Sequence, residues 1–367
     1  MRRRKAIRRA LVRAIRLLPP PRDEAAMRLL HAGNDLMRGR TPARRQEPVE
    51  PAEPARPEEA APVPGGHIAP AGPPLERPAG LGDTSAWASP PISNGHDVLT
   101  KVLYNTGAAP PRYDVELLEA LNQEYAGKPI VPAPPSYAPV DRIAVARQRI
   151  GWVQQRVDLR GKTTLEIGCS NGYEAWLLAH NLGCDAYGVD VNARGAWADL
   201  EGDRVHFECA DLAVKNPYPP DMFDVIYSFV VWEHVTHPGK LLRETYTMLK
   251  PGGFAWIRAN LFCGPQASHR YREINFPWPH LLFSEDVIRD WDVKHGRGPI
   301  GPAWVNRLTW DNYQRLISEI GFRLRHVHFQ EADWDEEFYQ RFEDILGRYA
   351  KRDLKRDYFL AVLEKPA

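Results

Sequence analysis

Short apolar runs rich in β-branched and aromatic residues recur from residue 163 to the end of the chain. They are five to eight residues long, and the stretches between them repeat apolar residues at the three- and four-residue spacing of a helix. This alternation predicts βαβ units, in which strands are joined by crossover helices. The predicted strands are residues 163–169, 184–190, 205–209, 223–229, 254–260, 322–329 and 358–364.

Helical periodicity also precedes the first predicted strand. Within residues 141–158 an apolar stripe recurs at Ile143, Ala146, Ile150, Val153 and Val157. The sequence KPGG at residues 250–253 predicts a turn into the fifth strand. The predicted helices are residues 113–126, 141–158, 172–181, 193–200, 238–249 and 309–320.

The first 40 residues have a different pattern, in which arginines interrupt every apolar run. Ile7, Leu11, Ile15 and Leu18 are spaced four, four and three residues apart, and Pro19 ends this segment. The spacing predicts a basic amphipathic helix over residues 1–18. Two interpretations stay open: docking on an anionic membrane surface or a partner, and a solvated tail without a binding role.

Residues 41–95 separate this arm from the alternating pattern. Of the 34 prolines in the chain, 13 lie between residues 41 and 92, where large apolar side chains are sparse. Such a segment buries too little surface to offset the entropy of ordering, so we predict a disordered linker. The remaining divisions that we predict are a helical segment at 96–160, an α/β core at 161–260, an insertion at 261–306 and the rest of the core at 307–367.

Charge and cysteine content narrow the function classes. The net charge is +1, but 14 Lys/Arg and 3 Asp/Glu lie before residue 46, against 34 and 44 after it. An acidic body disfavours a nucleic-acid substrate, because phosphate contacts need a basic surface. The 4 cysteines have no disulfide or zinc spacing, and no apolar stretch is long enough to span a membrane. We therefore expect a cytoplasmic protein, with docking at the inner face of a membrane as the further possibility.

Small and acidic residues follow the first three predicted strands. The first strand leads into EIGCSNG at residues 166–172, where small side chains allow a tight turn and close approach of a ligand. The second strand ends at Asp190, 22 residues after Gly168, and a carboxylate there can accept the hydroxyls of an adenosine ribose. Asp211 follows the third strand. A dinucleotide site is the poorer interpretation, because Tyr173 stands where close packing requires a small residue.

The ordered motifs LEIGCSNG, GVD, ADL, FDVIYS, VVWEHV and LKPGG resemble the class I S-adenosylmethionine-dependent methyltransferases, especially the small-molecule "type 11" group. The resemblance covers about residues 140–260. It implies a doubly wound, mostly parallel, Rossmann-like sheet of seven strands, with the last strand antiparallel. The family's middle turn glycine is Ser170 here, and serine permits the turn if its φ stays negative.

The resemblance also implies a cofactor, S-adenosyl-L-methionine, and the residues that bind it. Glu166 and the loop backbone would face its methionine end, Asp190 its ribose, and Asp211 its adenine amino group. Glu166 capping backbone amides and Val191 packing in the core are the alternatives. The cofactor-binding residues that we predict are Glu166, Gly168, Ser170, Asn171, Gly172, Asp190, Val191, Asp211, Leu212 and Phe229.

An acceptor site is expected beyond the fourth and fifth strands. His234 is a candidate general base for an alcohol acceptor, although a histidine there can simply order the next helix. The insertion at 261–306 is expected to form a lid of aromatic and polar groups, or else a hydrophobic packing subdomain. The candidate acceptor residues are His269, Arg270, Tyr271, Trp278 and His280. No residues show metal-ligand spacing, so we expect no metal.

These features predict an S-adenosylmethionine-dependent methyltransferase that O-methylates a small-molecule or glycan-type acceptor. The alternative is a non-catalytic sensor or scaffold that binds the cofactor and is recruited to a membrane or partner by its basic arm.

Overall fold

The computed structural model describes residues 114–128, 138–297 and 306–367. The predicted arm and linker, residues 1–40 and 41–95, lie outside the described residues. The described residues fall into two units, one made of residues 138–144 and a larger one made of all the others. Every strand belongs to the larger unit. Within the described parts of the chain, no helix combines the length and the apolar character needed to cross a membrane.

The described residues form a single seven-stranded sheet, ordered β3-β2-β1-β4-β5-β7-β6. Strands β1 to β5 run parallel, while β7 lies antiparallel between β5 and β6. This is the doubly wound, mostly parallel sheet that the sequence predicted, including its antiparallel last strand. The strands are β1 Thr163–Ile167, β2 Asp185–Asp190, β3 Val205–Cys209, β4 Phe223–Phe229, β5 Leu249–Asn260, β6 Arg323–Glu331 and β7 Arg356–Glu364.

Helices connect and flank these strands. A 3₁₀ turn, Trp232–His234, follows β4. The α-helices in the described residues are α1 Val115–Glu124, α2 Pro139–Gln154, α3 Tyr173–Leu182, α4 Trp197–Leu200, α5 Pro238–Met248, α6 Pro279–Leu282, α7 Glu285–Lys294, α8 Trp310–Ile320, α9 Glu336–Arg341, α10 Glu343–Leu346 and α11 Lys351–Lys355.

Three predicted boundaries were wrong by four residues or more. The helix predicted over residues 141–158 ends at Gln154. The helix predicted over residues 193–200 is only α4, which begins at Trp197. Residues 250–253, predicted as a turn before the fifth strand, lie inside β5. Gly252 has a φ of +76° and the β4–β5 register shifts between Phe223 and Val225. A bulge therefore absorbs the glycines without ending the strand.

Two separate hydrophobic cores result. The first lies on the sheet and includes apolar residues of β1, β4, β5 and β7 together with α5 and α8. The second is built from α1, from residues 274–291 of the insertion and from the C-terminal segment 338–354. Residues 307–367 thus contribute to both cores. The carboxyl ends of the parallel strands lie at one edge of the sheet, which is where a ligand binds in α/β folds.

Candidate functional site

The loop after β1 turns sharply before α3 begins. Ser170 has a φ of +46°, so the turn forms with this serine in the left-handed region and the condition of a negative φ is not met. Gly172, the residue before α3, has a φ of +79°, and a Cβ added there would lie 2.3 Å from the ring of Phe207. The loop therefore depends on glycine at 172 both for its backbone conformation and for its contact with β3.

Asp190 supports this loop directly. One carboxylate oxygen accepts a hydrogen bond from the Ser170 amide, and the other accepts one from the Asn192 amide, both at 3.0 Å. The carboxylate is half-buried at the carboxyl end of β2. Each oxygen has a further lone pair, so the group can hold the loop and still accept ligand hydroxyls.

An aromatic pair that the sequence pattern did not predict lies beneath the loop. Trp197 and Phe207 stack with centroids 5.2 Å apart and planes inclined by 11°. The Trp197 indole donates a hydrogen bond of 2.8 Å to the Ser170 carbonyl. The only signal in the sequence was a single large aromatic residue in segment 191–200. The pair holds the loop against α4 and β3.

Apolar and acidic groups meet beyond β2 and β3. Val191 is 61% exposed, while Leu212 is buried. Asp211 is exposed, and its carboxylate accepts a 2.9 Å hydrogen bond from the Ala213 amide. An exposed branched side chain next to Asp190 in the chain, with Asp211 following the neighbouring strand, suits a flat heteroaromatic ring that carries hydroxyl and amino donors.

Glu166 lies in β1 with 2% of its surface exposed. Its Oε2 atom has no hydrogen-bond partner among the described residues. Burial and the neighbouring Glu174 carboxylate hold the pKa of Glu166 well above its usual range, although the Arg149 guanidinium opposes this. Arg149 of α2 pairs with Glu174 of α3 at 2.9 Å. The sequence did not reveal this pair, because the two residues belong to separate helices.

Phe229 ends β4 and continues this arrangement. It packs on Trp256 at a centroid distance of 4.8 Å, and the Arg149 guanidinium lies 5.0 Å above its ring. Trp152 of α2 lies 6.5 Å away. Phe229 is buried, so it can contribute a wall rather than a polar contact.

Glu233, His234 and His269 form a cluster beyond β4. Glu233 is 2% exposed, and burial raises its pKa to about 8. The rings of His234 and His269 meet edge to face at 4.6 Å. Burial, followed by the charge of His234, lowers the pKa of His269 to about 4. Ligand atoms of the three residues lie within 4.8 Å of one another, so the cluster can hold a metal ion.

The other candidate acceptor residues divide between this cluster and the second core. Tyr271 is half-buried, with its ring 6.2 Å from that of His269. Arg270 is buried and pairs with the buried Asp292. The Trp278 indole donates to two backbone carbonyls, and His280 hydrogen-bonds the Phe262 carbonyl at 2.7 Å. The Arg270, Trp278 and His280 side chains thus favour the interpretation of the insertion as a packing subdomain.

Comparison with known proteins shows which protein family the residues around this site resemble. Residues 165–257 match the family model described as "Methyltransferase domain". These residues form a methyltransferase domain. Its first and last matched positions lie in β1 and β5, so the match includes at least part of every parallel strand and the loops described above.

Several bacterial proteins of known name are similar in sequence to this domain. The chain is 33% identical over 120 residues to the "Ubiquinone biosynthesis O-methyltransferase" of Pseudomonas putida (strain F1), covering 30% of this chain and 51% of that protein. The protein of that name from Burkholderia orbicola (strain MC0-3) is 31% identical over 114 residues, covering 30% and 49%. The chain therefore spans about half the length of the curated relatives that it matches.

Solved structures with this fold include two S-adenosylmethionine-dependent methyltransferases. One, described as putative, is from Listeria monocytogenes: identity 16%, TM-score 0.41, coverage 61% of this chain and 100% of that one. The other is from Mesorhizobium loti: identity 17%, TM-score 0.40, coverage 60% and 99%.

S-adenosylmethionine is the cofactor of this methyltransferase family, and the residues present fit it. The half-buried Asp190, the exposed Asp211 and the exposed Val191 suit its adenosine. The buried Glu166 has an oxygen without a partner, which suits the ammonium group of its methionine. The N-terminus of α3, which follows this loop, does not suit a phosphate group, because the first turn of the helix contains Tyr173 and the acidic Glu174.

Proposed function

We propose that this protein transfers the methyl group of S-adenosylmethionine to an oxygen of a small-molecule or glycan-type acceptor. The observation that carries the proposal is the arrangement at the carboxyl edge: acidic groups of β2 and of the loop after β3, an exposed valine directly after β2, and a buried carboxylate in β1. The name of the relatives supports an oxygen rather than a nitrogen acceptor.

The cofactor supplies a methyl group that is already activated by a positive sulfur. The protein's contribution is to orient the acceptor and to exclude water. The oxygen–carbon bond forms as the carbon–sulfur bond breaks, sulfur keeps the electron pair, and the acceptor hydroxyl loses its proton. His234 is exposed at the end of the 3₁₀ turn and can receive that proton.

Acceptor contacts are proposed for the half-buried side of the cluster. His269 lies next to His234 and Tyr271 lies near His269, and both His269 and Tyr271 retain exposed surface. Arg270, Trp278 and His280 are left out of this surface, because each is buried and bonded within the protein. Their contribution would be to hold the insertion in place.

Methyl-labelled cofactor incubated with the purified full chain and fractionated host extract tests the proposal. We expect label in a small-molecule or glycan fraction. His234→Ala should lower turnover with cofactor affinity unchanged, whereas His206→Asn, which alters a histidine near the amino end of β3, should leave both unchanged. Label in no fraction, with the cofactor still bound in calorimetry, would favour the sensor or scaffold alternative.

A further inference from the structure

Two buried polar groups of the cluster face each other without hydrogen-bond partners. Both carboxylate oxygens of Glu233 and the Nε2 atom of His269 lack a partner among the residues that the structure describes. His269 Nε2 lies 3.9 Å from Glu233 Oε1, too far for a hydrogen bond. Buried polar groups are almost always partnered, and a bound ion can satisfy those that the protein itself leaves unpaired.

The separation of these two atoms suits a small cation between them. Bonds from a zinc-like ion to nitrogen and oxygen are about 2.0–2.2 Å long. Around a tetrahedral ion such ligand atoms lie about 3.4 Å apart, so the pair would need to close by roughly half an ångström. Rotation of the histidine ring is sufficient for a movement of this size.

His234 provides a third ligand. It follows Glu233 in the chain, and its ring contacts that of His269. One of its ring nitrogens lies within 4.8 Å of the ligand atoms of both Glu233 and His269. Unlike Glu233, it is exposed. Three protein ligands with one side open to the exterior are typical of a catalytic zinc site.

The backbone around the cluster is held in place. The side-chain amide of Asn306 donates a hydrogen bond of 2.6 Å to the Trp232 carbonyl. The backbone N–H of Asn306 donates one of 2.7 Å to the Glu233 carbonyl. Val230 and His269 have φ values of +57° and +56°. Such conformations are energetically unfavourable for residues other than glycine and persist where the surroundings enforce them.

We propose that Glu233, His234 and His269 bind a divalent transition-metal ion of the Zn²⁺ type. One carboxylate and two imidazoles favour such ions over Mg²⁺ and Ca²⁺, which prefer oxygen ligands. The sequence predicted no metal, because two of the ligands are adjacent and the third lies 35 residues further on. The metal site itself is independent of methyl transfer.

The use of the ion rests on the proposed function. A Lewis acid beside the acceptor would favour loss of the hydroxyl proton, which would pass to solvent. His234 would then be a ligand instead of the base. The acceptor class narrows to molecules whose reacting oxygen can reach a cation, such as hydroxyls next to a second oxygen atom.

The test uses the purified full chain, stripped of metal with chelator and titrated with Zn²⁺ and Co²⁺. We expect one ion per chain. Bound Co²⁺ should show the visible absorption of a nitrogen- and oxygen-ligated ion, without the intense charge-transfer band of thiolate ligands. A thiolate band, or affinity lost in Cys209→Ser, would overturn the assignment.

Ligand variants complete the test. Glu233→Gln and His269→Asn should each weaken Zn²⁺ binding 10-fold or more, and asparagine tolerates the left-handed backbone at position 269. His206→Asn is the matched control, since His206 also pairs with a carboxylate, that of Asp185 at 2.9 Å. Zn²⁺ affinity within twofold of wild type in both ligand variants would refute the site. A chain that binds Zn²⁺ but methylates nothing would refute the proposed function alone.

Discussion

Replacing Asp190 separates two roles that the structure gives to one carboxylate. In Asp190→Asn one oxygen remains an acceptor, while the new NH₂ group faces a backbone N–H of Ser170 or Asn192. Loss of one hydrogen bond to a charged group costs about 1–3 kcal/mol of folding free energy. Loss of the ribose contact should weaken cofactor binding about 10- to 100-fold, since each factor of ten is about 1.4 kcal/mol.

The assay is calorimetric titration with S-adenosylmethionine, together with thermal unfolding. Asp185→Asn is the control, because Asp185 begins the same strand and pairs only near the surface, with Tyr187 at 3.3 Å and His206 at 2.9 Å. Exposed pairs contribute little, so we expect less than about 1 kcal/mol of destabilisation and unchanged cofactor affinity.

A cofactor analogue without the ribose hydroxyls distinguishes a ribose contact from loop support. Wild type should lose affinity for the analogue, whereas Asp190→Ala should bind cofactor and analogue almost equally. If the analogue loses the same factor in both proteins, Asp190 does not contact the ribose and only braces the loop.

Three further substitutions test the surroundings of the site. Gly172→Ala should cost about 1–2 kcal/mol for its positive φ and more for the clash with Phe207, so thermal unfolding should show a lower midpoint and calorimetry a weaker cofactor. Burial lowers the pKa of His280 from 6.5 to about 4, so the folded state binds fewer protons than the unfolded state. The stability of the folded state should therefore fall as the pH drops from 6.5 towards 4. His280→Gln, whose amide can still donate to the Phe262 carbonyl, should lose this pH dependence, and equal pH profiles of stability for the variant and wild type would contradict the reasoning. Trp278→Phe leaves two buried carbonyls without their donor and should destabilise the chain by about 1–3 kcal/mol in denaturant unfolding, with cofactor affinity unchanged.

The strands were predictable because their pattern is local. Each parallel strand except β5 begins within one residue of its predicted start, since apolar runs bounded by turn residues define a buried strand without reference to the rest of the fold. The start of β5 was missed because a bulge lets Gly252 remain in the strand, and only pairing with β4 reveals this.

The candidate site was predictable where a residue follows a strand and not where it depends on packing. As predicted, Asp190 ends β2 and Asp211 follows the end of β3. The charged neighbours of Glu166 are Arg149 of α2 and Glu174 of α3. Sequence periodicity does not indicate which residues of two separate helices come together. Trp278 illustrates the same limit, because an aromatic residue in an insertion has the same sequence signature whether it faces a ligand or a core.

The position of β7 has a consequence for synthesis of the chain. β7 lies between β5 and β6, and the amide of Lys365 donates to the Gly253 carbonyl at 2.9 Å. A ribosome-bound chain that has completed β6 therefore still presents the edge of β5 unpaired, and its second core lacks residues 338–354. Unpaired edges template aggregation. A stop codon near residue 357 should thus remove most of β7 and produce insoluble protein.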